Sequence, residues 1–184
     1  MPVTPDNSFL PQRGNYRGLK AYQKAECIYD LTYLFATTYL AHGDRTVDQM
    51  VQAARSGKQN IAEGSAASAT SRETEIKLTN VAKASLQELL VDYEDLQQWS
   101  ADDPRFRQAR KACTSHSDPA YFTAAAASRS DETIANIAII LIHQADYLLF
   151  RLIERLKADF VAQGGIREEM TRARLAHRQQ QKSQ

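Results

Sequence analysis

Residues 55–96 read RSGKQNIAEGSAASATSRETEIKLTNVAKASLQELLVDYEDL. The stretch divides into the end of one helix, a corner rich in Gly, Ala and Ser, and a long amphipathic helix running back. Gly64 closes the helical run Asn60-Ile61-Ala62-Glu63. That placement predicts a left-handed residue just past a helix C-terminus, where a Cβ is strained. Thr70-Ser71-Arg72-Glu73 has the form of a capping box, the Thr70 hydroxyl meeting an orphan amide and Glu73 reaching back. A connection of about six residues makes the two helices antiparallel neighbours.

Outward from this corner the apolar spacing keeps a helical period. Leu19, Tyr22, Ile28 or Tyr29, Leu31, Phe35 and Tyr39 predict a first helix over 16–42, stopped by Gly43 in the left-handed region. Thr46-Val47-Asp48-Gln49 predicts a second capping box, and Val47, Met50, Val51, Ala54 and Ile61 carry helix two to Glu63. Helix three is expected from Ser71 to about Trp99 on Leu78, Val81 or Ala82, Leu86, Leu89 or Leu90, Tyr93 and Leu96, with Glu88, Asp92 and Asp95 as a solvated acidic face. Residues 102–130 break the pattern with Asp102-Asp103-Pro104, Asp118-Pro119, a basic run and the run 124–127. One or two short helices on the outside of the domain are expected there.

Helix four is expected from Asp131 to about Ala162, ended by Gly164-Gly165. Ile134, Ile137, Ile139, Ile140, Leu141 and Ile142 cover nearly its whole circumference, and a helix apolar all round needs cover on every side. A bundle core covers one side, so the other is expected to meet another subunit, with Ile134, Ile137, Ile139, Ile140 and Leu141 as interface candidates. The reading is an all-α chain: an antiparallel up-down four-helix bundle over 16–163 with a longer helical crossover before the last helix. An extended arm over 1–15 precedes it, and a basic helical suffix over 164–184 follows.

In composition the 184 residues fit one domain, with Lys+Arg 23 against Asp+Glu 22, so no overall field draws the protein onto nucleic acid or membrane. Cys27 and Cys113 make no metal or disulfide framework and suit reduced thiols in a cytoplasmic protein. The first eighteen residues lack a secretory h-region, and polar residues including Asn136, His143 and Arg151 interrupt the most apolar run, against a membrane span.

Gln59-Asn60-Ile61-Ala62-Glu63-Gly64, then Ser71-Arg72-Glu73-Thr74-Glu75, then Val81 to Leu89 with Ala82, Ser85, Leu86 and Glu88, resemble the bacterial four-helix-bundle family. That family includes the ribosomal-RNA intervening-sequence proteins and the accessory variability determinant of diversity-generating retroelements. The stretch from His143 to Leu149, with Phe160 to Gly165 and Arg172-Ala173-Arg174, looks like its extended branch with a C-terminal suffix. The resemblance implies a small bundle assembled as a ring, typically a homopentamer, with no established enzymatic activity. It also implies possible partners: RNA or DNA, or a reverse transcriptase, met through a basic surface.

The polar motif residues Asn60, Glu63, Gly64, Ser85 and Glu88 are read as corner caps and hydrogen-bond partners between helices two and three. Glu63 and Glu88 alone lack the further Glu and Glu-x-x-His ligands of a di-metal bundle. Cys113 and His116 form a lone C-x-x-H, and His143 reads as a satisfied core or interface histidine. No phosphate loop, nucleophile elbow or H-E-x-x-H is present, so neither a catalytic residue nor a cofactor is expected. Candidate phosphate contacts are Arg17, Lys20 and Lys24 on helix one, Arg55 and Lys58 on helix two, and Arg174, Arg178 and Lys182 in the suffix. The function expected is a non-enzymatic homo-oligomeric scaffold or accessory protein docking a protein partner, with nucleic-acid binding as the alternative.

Overall fold

The computed structural model describes residues 14–96, 121, 122, 124 and 130–182. Regular structure among them is entirely helical. A 3-10 turn at Tyr16–Gly18 leads into α1 (Lys20–Tyr39), followed by α2 (Arg45–Ala67), α3 (Arg72–Leu96), α4 (Asp131–Gln163) and α5 (Ile166–Lys182). The four long helices carry the core; α5 is a shorter helix beyond it.

The helix ends follow local chemistry, in places one or more residues from where the sequence puts them. The start of α1 lies at Lys20 rather than Tyr16. Gly43 does adopt the left-handed backbone, with φ 89. The cap of α2 is Asp44, whose carboxylate accepts from the Thr46 amide at 2.9 Å, so Thr46 lies inside the helix. The corner differs more. Gly64 is not a C-cap: the Ser68 amide donates to its carbonyl at 3.1 Å, and α2 continues to Ala67. The cap of α3 is Ser71, whose hydroxyl accepts from the Thr74 amide at 3.1 Å. Glu73 instead meets Lys77 at 2.7 Å, one turn along the same exposed face.

What Gly64 supplies is closeness. A Cβ there would stand 3.3 Å from both the Glu75 carbonyl oxygen and the Leu78 Cβ. One heptad earlier, a Cβ on Gly57 would stand 2.6 Å from the Leu86 Cδ2. With Ala53, also buried, these residues form a small-residue seam on α2 into which the side chains of α3 press. Such a seam lets two backbones approach more closely than leucine-to-leucine packing allows.

Helix α2 packs on α3 and α1, and α4 packs on α1 and α3. Lys83 Nζ meets Asp146 Oδ1 at 2.9 Å, and Arg72 Nη2 meets Glu169 Oε1 at 3.2 Å. Residue numbers thus rise along α3 as they fall along α4 and α5. Across the core the Tyr93 hydroxyl donates to Thr32 Oγ1 at 3.0 Å, and the rings of Phe35 and Tyr93 lie 5.3 Å apart. Burial pushes the Tyr93 phenol well above its ordinary range.

Helix α4 overturns the interface assignment. Ile134, Ile137, Ile139, Ile140 and Leu141 are all buried within one chain, the most exposed being Ile139 at 8%. The cover comes from the chain itself. Phe122 is fully buried and belongs to the same core cluster, so it adds to the core that the long helices form. Counting long helices alone misses that contribution. By length and composition α4 passes as a membrane-spanning helix, and 56% of its most apolar window is buried inside the protein, as in a core helix.

Gly164, with φ 79, ends α4, and its amide donates to the Phe160 carbonyl at 2.9 Å. Glu168 then accepts from the Gly165 amide at 2.9 Å, the reaching-back half of a capping box, and starts α5. Tyr121, Phe122 and Ala124 are helical. The remainder of the expected crossover over 102–130, and nearly all of the arm over 1–15, lie outside the described residues.

Candidate functional site

The polar motif splits in two. Ser56 Oγ lies 2.9 Å from Ser85 Oγ, joining α2 to α3. Asn60 Nδ2 donates to the Ser56 carbonyl at 2.9 Å and to Ser56 Oγ at 3.1 Å. Ser85 is buried, with Asn60 and Ser56 partly so, which makes this link the register-fixing polar contact of the seam. Ser56 is absent from the sequence-level set; its i−4 spacing from Asn60 was the available signal. Glu63 and Glu88 are exposed and take no part in this hydrogen-bonded link. Glu88 borders a shallow polar groove with Asp48, Gln49, Gln52, Ser56 and Ser85, to which Glu63 does not contribute.

Among the described residues no three His, Cys, Asp or Glu side chains gather where they could hold a metal ion. His42, His143 and His177 are exposed, so of the two settings expected for His143, core or interface, the core is excluded: it stands where α4 emerges from its covered half. Cys113 and His116 lie outside the described residues. Cys27 is fully buried, and burial, opposed by Lys24, pushes its thiol up to about 12.

The basic candidates stand in different local settings. Lys58 sits 4.0 Å over the Tyr29 ring, and Lys24 5.8 Å over the Phe122 ring; each is half-buried and engaged within the chain. Arg55 is exposed one turn before Lys58. Arg174 and Arg178 are exposed on α5, and Lys182 is its last residue. Arg17 and Lys20 are exposed at the start of α1.

Lys20 does have basic company that the sequence reading did not assign. Between the start of α1 and the second half of α4 lies a groove of about 420 Å³. Its floor is Leu19, Leu148 and Leu152, and its rim carries Lys20, Arg151 and Arg155 beside Glu154. In the sequence Arg151 registers only as an interruption of the apolar run. Its i+4 spacing to Arg155 and i−3 spacing to Leu148 were the signal for a cationic edge on an apolar helix.

The acidic row of α3 lies elsewhere. Glu88, Glu94 and Asp95 are exposed and Asp92 is partly buried. The Asp92 carboxyl is raised above the usual carboxylate range, first by burial and then by repulsion from Glu88 and Asp95. On the outer side of α4, Tyr147, Phe150 and Val161 are 58%, 50% and 84% exposed.

No family model, curated protein or solved structure matches the chain.

Proposed function

We propose that the chain is an antiparallel up-down four-helix bundle, α1 to α4, whose copies assemble into a homo-oligomer and act without catalysis as a scaffold or accessory protein docking a protein partner. The family resemblance of the corner and of α3 suggests a pentamer and a cytoplasmic setting, with a reverse transcriptase among the kinds of partner. The ring of contacts α1–α2–α3–α4–α1 and the opposed direction of α3 and α4 support the bundle.

The observation that carries the docking reading is the outer face of α4 beyond its covered half. There Tyr147 and Phe150 have half or more of their surface exposed, beside Arg151. Tyrosine, other aromatics and arginine are the side chains enriched in protein-binding surfaces. Light scattering on the purified chain, with anisotropy of a labelled single-stranded oligonucleotide across a salt series, tests the reading. A mass of several chains with no salt-sensitive oligonucleotide binding supports it. A single-chain mass at every concentration refutes the homo-oligomer.

One observation favours nucleic acid as a second reading. Arg174 and Arg178 are exposed one turn apart on α5, and an assembly would present several copies of that pair. Oligonucleotide affinity that falls steeply with salt and is lost in Arg174→Glu/Arg178→Glu would favour it.

A further inference from the structure

We propose that copies of this chain join head to tail, the acidic end of α3 of one copy seating in the cation-rimmed groove between α1 and α4 of the next. This rests on the homo-oligomeric reading above and names the surfaces that make it.

Among the described residues the groove's own chain gives its cations few close carboxylate partners. Lys20 donates to Gln23 at 3.2 Å and Arg151 to the Tyr147 hydroxyl at 3.5 Å; neither has a carboxylate partner among the described residues. Arg155 meets Asp159 at the long distance of 3.9 Å and is within electrostatic reach of Glu75, without a close carboxylate contact among the described residues. The one carboxylate on the rim, Glu154, is held by Lys157 at 3.0 Å. Three cations therefore surround a floor of three leucines. Such a site suits an apolar side chain flanked by anions better than a bare phosphate, which has no use for the floor.

The end of α3 has the reciprocal pattern. From Glu88 to Leu96 there is no Lys or Arg. Val91 is 53% exposed and has Glu88 three residues before it and Glu94 and Asp95 three and four after, so the carboxylates surround it on the helix surface. None of the three has an ion-pair partner among the described residues. Asp92, crowded by Glu88 and Asp95, records the same local excess of negative charge. Leu96, 42% exposed, extends the apolar strip.

The two surfaces cannot meet within one chain. The end of α3 lies beside Thr32 and Phe35 of α1, through the Tyr93 contacts, whereas the groove begins at Leu19 and Lys20. Twelve residues of helix separate Lys20 from Thr32, about 18 Å at 1.5 Å per residue. Surfaces that are complementary but displaced on the same molecule make a heterologous contact, which closes into a ring or runs on as a filament.

Charge exchange tests the contact. Arg151→Glu/Arg155→Glu reverses the groove, and Glu88→Lys/Asp95→Lys reverses the end of α3; all four positions are exposed, and circular dichroism monitors the fold. By light scattering at low salt, each variant alone should fall toward the single-chain mass, its association weakened by about tenfold or more. An equimolar mixture should regain mass, because alternating copies restore opposite charges at every junction. Raising salt should weaken the wild-type assembly. Variants that keep the wild-type mass, or a mixture that stays dissociated, overturn the proposal while leaving the scaffold reading in place. A wild-type chain that is itself single overturns both. Variants that keep the wild-type mass while the groove reversal alone abolishes oligonucleotide binding would assign the groove to phosphate instead.

Discussion

Replacing Gly57 by alanine sets two effects of opposite sign against each other. Gly57 lies inside α2, where alanine is favoured over glycine by about 1 kcal/mol through backbone entropy alone. The new methyl would stand 2.6 Å from the Leu86 Cδ2 and 2.8 Å from its Cγ, and Leu86 is fully buried, so its side chain has little room to retreat. Overpacking of this kind costs about 1–3 kcal/mol. The net expectation is a loss of about 1 kcal/mol, or about 2–4 °C in Tm for a chain of this size. Chemical denaturation followed by circular dichroism at fixed protein concentration measures it. The diagnostic step is the second background. Leu86→Ala alone should cost about 2–5 kcal/mol, but with Leu86 shortened the Gly57 methyl enters vacated space. Gly57→Ala should then stabilise by up to about 1 kcal/mol, a reversal of sign and therefore a coupling between contacting sites. If Gly57→Ala raises stability in the wild-type background as well, helix propensity dominates and the account of α2 and α3 as a close-packed small-residue seam is wrong.

Ser85→Ala should cost on the order of 1 kcal/mol by breaking the Ser56 link, whereas Glu63→Ala, on an exposed carboxylate with no partner among the described residues, should stay within about 0.5 kcal/mol; paired thermal melts check both. Tyr93→Phe removes the buried bond to Thr32 and should cost about 1–2 kcal/mol with the Phe35 ring contact kept, as read by denaturant midpoint. In a Cys113→Ser background, Cys27 should be inert to a thiol reagent in the native protein and react once the chain is unfolded. Because folding raises the Cys27 thiol to about 12, the folded state holds the proton longer than the unfolded one. Its contribution to stability should be complete below about pH 8.5 and disappear as pH climbs from there toward 12; stability in alkaline buffers, compared with Cys27→Ala, reads it.

Much of the architecture was legible from periodicity. The apolar spacing of Leu31 and Phe35, of Met50, Ala54 and Ile61, and of Leu86 and Tyr93 marked residues that are buried, whereas Tyr39 and Leu96 at the ends of their stripes are exposed. A 3.6-residue period leaves one stripe facing inward, and the structure chose Ile28 over Tyr29, Ala82 over Val81 and Leu89 over Leu90 as its fully buried members. Gly64 and Glu63 show where local reading stops. A glycine near a helix end has two explanations, a left-handed cap or a close neighbour, and residue type does not separate them. Only the position of the Glu75 carbonyl oxygen and Leu78 decides for the second. Likewise, a polar residue in a helical run reveals its chemistry but not its azimuth, and the azimuth put Ser56 rather than Glu63 on the seam.

The candidate surfaces were less legible, since each is assembled from distant segments. Lys20 and Arg151 share a groove although 131 positions separate them in the chain, and the pairing depends on how α1 and α4 lie together. Alone, the sequence determined that the chain is helical, roughly where its long helices run and much of the inward stripe of the first three, because those properties depend on neighbours within a turn or two. The tertiary structure decided that Ile134 to Ile142 are covered by their own chain, that Lys24 and Lys58 are drawn onto aromatic rings, and that three cations gather above three leucines. Those outcomes depend on which surfaces approach one another in space, and helical period carries no record of that.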